Sequence, residues 1–216
     1  MPIDSDLFYF AILKVSEYEF AMYTKLHHLI CDGWSMVMTG NIVMDFYNQL
    51  RNGSSEYIYK SSSYIDYINA EDSYIRSSRF ADDQQFWDSR LRDLNISNNM
   101  SFRKKSNSNK VSTEAKRKTF ILPNRLTLKI HEYAQANKTT VPAIFLSALL
   151  IYLNRVTGNA EHIVGIPVLN RTNAKEKRTC GMFINTVPLD ISIDENISFC
   201  SLVTQITQEW LVLLRH

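Results

Sequence analysis

Leu26-His27-His28-Leu29-Ile30-Cys31-Asp32-Gly33-Trp34-Ser35 decides how the rest of the chain is read. An imidazole stands four residues before a carboxylate, and a glycine follows the acid directly. Upstream, Leu7 to Val15 and Tyr18 to Leu26 are two aromatic and aliphatic runs parted by Ser16 and Glu17, the pattern of a β-hairpin. Downstream, Trp34, Met38, Ile42 and Phe46, with Val37, Val43, Tyr47 and Leu50, recur at helical spacing until Asn52 and Gly53 stop them. The stretch is therefore the loop of a strand-loop-helix unit.

That setting suits acyl-transfer chemistry. On a loop leaving a strand, His28 places a ring nitrogen where a pKa near neutrality serves to take a proton from an attacking amine or hydroxyl. Gly33 lets the backbone come close to a substrate, and its N–H, at the start of the helix, is placed to stabilise a tetrahedral oxyanion. Asp32 has two possible jobs, to orient an imidazole or to pair with a remote cation and hold the loop. His27 reads as a structural residue beneath the loop. Cys31 is weighed as a metal ligand or a nucleophile, but no second ligand cluster accompanies it, so no metal site is expected.

Further along, two helices are expected over Tyr64 to about Ser77 and Phe80 to Leu94, the second carrying Phe86, Trp87, Leu91 and Leu94 on one side. Residues 95–117 then hold Asn, Ser, Lys and Arg with almost no apolar side chains, which predicts a flexible basic linker containing Arg103, Lys104, Lys105 and Lys110. Beyond it the pattern predicts a strand over Lys118 to Leu122 and a helix opened by Pro123. A hydrophobic helix from Val141 to Val156 ended by Gly158, strands over His162 to Val168 and Met182 to Ile193, and an amphipathic helix from Phe199 complete the reading.

Composition excludes several function classes. The 216 residues carry 24 basic and 22 acidic side chains, net +2, so no electrostatic footprint for nucleic acid runs through the chain. The longest apolar run, Val141 to Leu153, is shorter than the roughly 20 residues that span a bilayer. Cys31, Cys180 and Cys200 form no paired spacing, and the first residues lack an export signal, so a cytoplasmic protein is expected.

Four stretches together resemble the condensation domains of nonribosomal peptide synthetases, which have the chloramphenicol-acetyltransferase-like fold. They are His27-His28-x-x-x-Asp32-Gly33-Trp34-Ser35; Tyr64-Ile65-Asp66-Tyr67 with Phe86-Trp87 and Leu91; Thr140 through Gly158 leading to Gly165-Ile166-Pro167-Val168 and Arg171; and Gly181-Met182-Phe183-Ile184-Asn185-Thr186-Val187-Pro188-Leu189. Their order and spacing match along nearly the whole chain.

The resemblance implies an α/β, two-lobed fold, incomplete here: residues 1–94 as the end of the N-lobe with the active-site loop, 95–117 as linker, and 118–216 as the start of the C-lobe. It implies amide formation between two thioesters, each delivered on the phosphopantetheine arm of a peptidyl carrier protein, donor and acceptor, beside neighbouring adenylation modules. No cofactor is bound in such a scheme, and neither nucleic acid nor membrane takes part. By the same resemblance His28 is the base or amine-positioning residue and Gly33 supplies a backbone contact. His27, Asp32 and Trp34 support the site, Arg171 is the ion-pair partner of Asp32, and Asn185 and Thr186 either lie near the substrate tunnel or stabilise a strand. A free-standing acyltransferase for small alcohols or amines and a non-catalytic platform for carrier proteins are the alternatives. Because the flanking parts of both lobes are missing from the match, uncovered apolar faces are expected.

Overall fold

The computed structural model describes residues 3–53, 62–92 and 116–216. Contacts divide them into two compact units, one within Met1–Gln84 and Pro167–Thr186, the other within Gln85–Ile166 and Val187–His216. This partition groups 167–186, read from sequence with the second lobe, with the residues of the first. The expected linker falls outside the described residues except for 116 and 117.

In the first unit, β1 (Phe8–Lys14) and β2 (Phe20–Leu26) form an antiparallel hairpin with Phe8 opposite Leu26 and Lys14 opposite Phe20. Its turn closes through Val15 N and Ser16 N, which both donate to Glu19 O. Side chains alternate between faces, and both faces are apolar: Phe8, Phe10 and Ile12 on one, Tyr9 and Leu13 on the other, all exposed.

After a short turn comes α1 (Gly33–Arg51), which Asn52 and Gly53, at φ 84°, end as the sequence predicts. Helix α2 (Tyr64–Ile75) is capped by Ser63 Oγ, which accepts from Ile65 N. Helix α3 (Ser78–Leu91) begins two residues before the expected Phe80. Packing in this unit centres on Tyr64, Tyr67 and Phe183, whose ring centroids lie 4.3–5.4 Å apart.

The second unit holds the larger core. Helix α4 (Asn124–Ala136) precedes α5 (Val141–Thr157), where Thr140 Oγ1 accepts from Ala143 N at one end and Gly158, at φ 71°, turns the chain at the other. Strands β3 (Glu161–Val168) and β4 (Asn185–Ser192) pair with each other, and α6 (Phe199–Leu213) follows. Leu150, Leu153, Ile166, Leu189, Ile191, Leu202, Ile206 and Leu213 form one buried cluster with Phe86 and Trp87 packed against it. The Arg90–Glu209 ion pair, 2.7 Å, adds a link between α3 and α6.

Two expected strands differ from the structure. Lys118 to Leu122 is not a strand: no described segment supplies a ladder partner, and Phe120 and Ile121 stand exposed. A run of extended residues becomes a strand only by hydrogen bonding to a neighbour. Strand β4 starts at Asn185 rather than Met182: Met182 O accepts from Tyr64 Oη and Phe183 N donates to Asp32, so neither group is given to a ladder with β3. Among the described residues no single helix is long and apolar enough to cross a membrane, and α4 and α5 reach that length only as a pair bent by 104°.

Candidate active site

The turn between β2 and α1 is built from the inside by Asp32. Its backbone is extended, φ −105° and ψ 178°, and its Oδ1 accepts from Ser35 N at 2.8 Å, the bond that caps the first turn of α1. Oδ2 accepts from Phe183 N at 3.1 Å. One guanidinium nitrogen of Arg171, Nη2, lies 3.1 Å from Oδ1 and 3.0 Å from Oδ2, with the side chains 1% and 0% exposed. Burial opposes charge on this carboxyl, but the hydrogen bonds from Ser35, Phe183 and Arg171 outweigh it and hold Asp32 below its ordinary pKa. Of the two jobs open to Asp32, the geometry assigns the second: it pairs with the cation 139 residues away.

Arg171 is itself held on several sides. Nη1 donates to Glu176 O at 2.5 Å and Thr179 O at 2.7 Å, while Nη2 also reaches Ser35 Oγ at 3.0 Å. The guanidinium carbon stands 3.8 Å from the centroid of the Phe183 ring, a cation–π contact in a desolvated place. Glu176 shapes the loop that carries this arginine, its carboxylate accepting from Thr172 N, Thr172 Oγ1 and Asn173 Nδ2. Nε of Arg171 is buried without a hydrogen-bond partner among the described residues, so the guanidinium is held through Nη1 and Nη2; breaking the pair from one side would strand a buried charge.

His27 and His28 part ways. His27 N donates to Leu7 O at 2.7 Å, and its Nδ1 accepts from Leu29 N at 3.1 Å, so one ring nitrogen is engaged in holding the turn. The neighbouring His28 is exposed, and its imidazole has no hydrogen-bond partner among the described residues. Gly33 is the first residue of α1, where N–H groups have no intrahelical acceptor. A Cβ at Gly33 would meet nothing within 4 Å, so none of the described residues fills the space beside it. Trp34 donates its indole N–H to Lys177 O at 3.1 Å and ties the Glu176–Arg178 turn to α1.

Cys31 lies in the same turn, but burial, with Cys180 and Asp32 nearby, pushes its thiol up to about 11. A thiol so rarely ionised is a poor nucleophile. Among the described residues no group of three or more His, Cys, Asp or Glu side chains lies together to hold a metal ion. Asn185 and Thr186 stand exposed at the start of β4, where Asn185 Oδ1 accepts from Thr186 N, apart from the Asp32–Arg171 network.

Sequence reasoning missed the Glu176 and Thr179 carbonyls that hold Arg171, and three further members of this network. Ser35 closes the motif with no role of its own in the sequence reading, yet it is fully buried and bonded to Gly181 and Arg171. Gly181 is needed because the Tyr64 ring occupies the place of a Cβ there. Phe183 contributes its backbone N–H to Asp32 and its ring to Arg171. The signal for Ser35 was its offset of three from an N-cap aspartate; nothing in the residue types gave the main-chain donors away.

A family model described as Condensation domain matches residues 3–216. The chain belongs to the condensation-domain family. This condensation-domain chain is 36% identical over 213 residues to surfactin synthase subunit 1 of Bacillus subtilis (strain 168), a match that covers 99% of the chain and 6% of that protein. Identity to a plipastatin synthase of the same organism is 30% over 217 residues, 99% of the chain and 8% of that protein. A solved structure, the first condensation domain of the calcium-dependent antibiotic synthetase in complex with a substrate analogue, matches with a TM-score of 0.79 at 23% identity. That match covers 97% of this chain and 46% of the other, and it places the chain in the chloramphenicol-acetyltransferase-like fold. The condensation-domain chain thus spans less than a tenth of these two synthetases and about half of the solved domain.

Proposed function

We propose that the domain containing this chain forms an amide bond between two acyl or aminoacyl groups held as thioesters on carrier proteins, as one step of nonribosomal peptide synthesis. Donor and acceptor arrive on phosphopantetheine arms, with adenylation modules loading them upstream, and the protein itself holds no cofactor. The work is placed in the cytoplasm, in keeping with three free cysteines.

The observation that carries the reading is the division of labour in one turn. His27, Asp32 and Arg171 make hydrogen bonds that hold the turn, whereas His28 beside them is exposed and has no hydrogen-bond partner among the described residues. The acceptor amine attacks the donor carbonyl carbon, the new C–N bond forms, and the carbonyl oxygen becomes an oxyanion near the open N–H of Gly33. His28 takes the proton lost by the amine or holds the amine in line. As the tetrahedral species collapses, the C–S bond breaks, and the thiolate leaves and is protonated to the free phosphopantetheine thiol. Because Asp32 is engaged with Arg171, it is not the carboxylate that orients the His28 ring; its part is to fix where α1 begins.

The test compares wild type with His28→Ala in a full-length condensation domain containing this chain, supplied with carrier-loaded donor and acceptor. Loss of a general base costs about 10²–10⁴-fold in rate. Equal amide formation by the two proteins would remove the role given to His28, and absence of product from wild type with every aminoacyl pair tried would count against the reaction.

A further inference from the structure

Ser35 stands outside the chemistry just described, yet its side chain is at the centre of the polar network beneath it. The hydroxyl is 0% exposed and its hydrogen-bonding capacity is full. It donates to Gly181 O at 2.9 Å and accepts from Gly181 N at 3.0 Å and Arg171 Nη2 at 3.0 Å. One oxygen therefore satisfies both main-chain groups of Gly181, a task that a strand partner would otherwise perform. The Ser35 backbone N–H meanwhile closes the Asp32 cap.

These bonds join two pieces of chain 146 residues apart at the first turn of α1. Asp32 makes a similar crossing to Phe183, so the two contacts, at Gly181 and Phe183, act as two pins through the same segment. Two pins fix a direction where one fixes only a point. The direction in question is that of the α1 N-terminus, which carries the free N–H of Gly33 and follows closely on His28 in the chain.

We infer that Ser35 is a positioning residue for the His28–Gly33 turn, acting through Gly181 and Arg171 to set the angle at which α1 presents the Gly33 N–H. The inference rests on the acyl-transfer reading for its effect on rate, though not for its effect on the turn. Removing the hydroxyl leaves Gly181 N without its partner in a buried place and frees the first turn to tilt; a displacement near 1 Å at a reacting centre costs on the order of 10²-fold in rate.

The experiment uses the full-length condensation domain with aminoacyl thioesters of the standard amino acids on holo carrier proteins. Ser35→Ala is compared with Leu150→Val, a substitution in the apolar core of the other unit that lowers stability without touching this network. For Ser35→Ala the expected result is a fall of about 100-fold in kcat with KM for the carriers within about 2-fold. Hydrogen exchange should also quicken selectively at the amides of Gly33 to Met36 and Gly181 to Phe183. Leu150→Val should keep kcat and show no such local change. Unchanged kcat in a folded Ser35→Ala protein, or a loss that only follows the fraction unfolded, would overturn the inference.

If wild type forms no amide, the acyl-transfer reading fails, and the exchange data still decide the matter: selective loosening supports the pin, and uniform protection refutes it. Should Ser35→Ala not fold, Ser35→Thr retains the hydroxyl. Near-wild-type kcat would then support the assignment, and a loss of about 100-fold with local exchange unchanged would refute it.

Discussion

The ring of Tyr64 lies over the α carbon of Gly181 so closely that the Cβ of any other residue at 181 would overlap its Cδ2 and Cε2. The ring cannot easily give way. Its hydroxyl donates to Met182 O at 2.8 Å, and its faces and edges meet Tyr67 and Phe183.

Gly181→Ala should therefore destabilise the domain by about 1–3 kcal/mol through overpacking. The cause is separable by making the same change in a Tyr64→Ala background, where the overlap is gone and the added cost should shrink to a few tenths. Denaturant unfolding of the four proteins checks this; an equal penalty in both backgrounds would mean that something other than the Tyr64 ring excludes the methyl group.

Breaking the Asp32–Arg171 pair from one side should cost more than breaking it from both. Arg171→Met leaves a buried carboxylate and should lower stability by about 3–5 kcal/mol, as should Asp32→Leu by stranding the guanidinium. The double variant should lose clearly less than the sum of the two. Additive losses in chemical denaturation would show that the pair is not coupled.

The pH dependence has a definite sign. The folded pKa of Asp32 lies below its unfolded value of about 3.9, so this residue contributes its full stability above about pH 5 and loses it as pH falls through the folded pKa. Stability measured from neutral pH downward should therefore decline below about pH 4 in wild type. Asp32→Asn, less stable at neutral pH, should show a shallower decline; identical slopes would sink the assignment.

Thiol labelling should separate the cysteines. Cys31 is buried with its thiol raised to about 11, whereas Cys180 and Cys200 are exposed. With iodoacetamide at about pH 8, peptide mapping should find Cys180 and Cys200 modified and Cys31 protected until the protein is unfolded. Early modification of Cys31 would mean that the turn opens readily.

Much of this was legible in residue types. The hairpin, α1, α5 and α6 follow from periodicity, and their ends from Asn52, Gly53 and Gly158, because burial and φ restrictions write themselves into the local sequence. The motif around His28 and the arginine at 171 were legible through resemblance, since a carboxylate and a guanidinium are visible as letters. Gly181 N, Phe183 N and Thr179 O were not, because every residue but proline owns a main-chain donor and acceptor, and their use depends on where distant segments meet. The same blindness produced a strand at Lys118 to Leu122: extended propensity is local, whereas a ladder partner is not. Met182 to Ile184 failed in the opposite way: Met182 O accepts from the Tyr64 hydroxyl and Phe183 N donates to Asp32, partners outside any strand.

The separation between Asp32 and Arg171, 139 residues, has a consequence for the order in which the protein is made. Synthesis at about 5–20 residues per second leaves the carboxylate waiting roughly seven to thirty seconds before its cation emerges from the ribosome. During that interval Asp32 is a solvated side chain on an unfinished turn, and Ser35 has no Gly181 to meet. The His28–Gly33 turn is thus translated well before the residues that fix it. A ribosome stalled before the Arg171 codon should hold a nascent chain whose hairpin and α1 are present as sequence but whose turn remains unlocked.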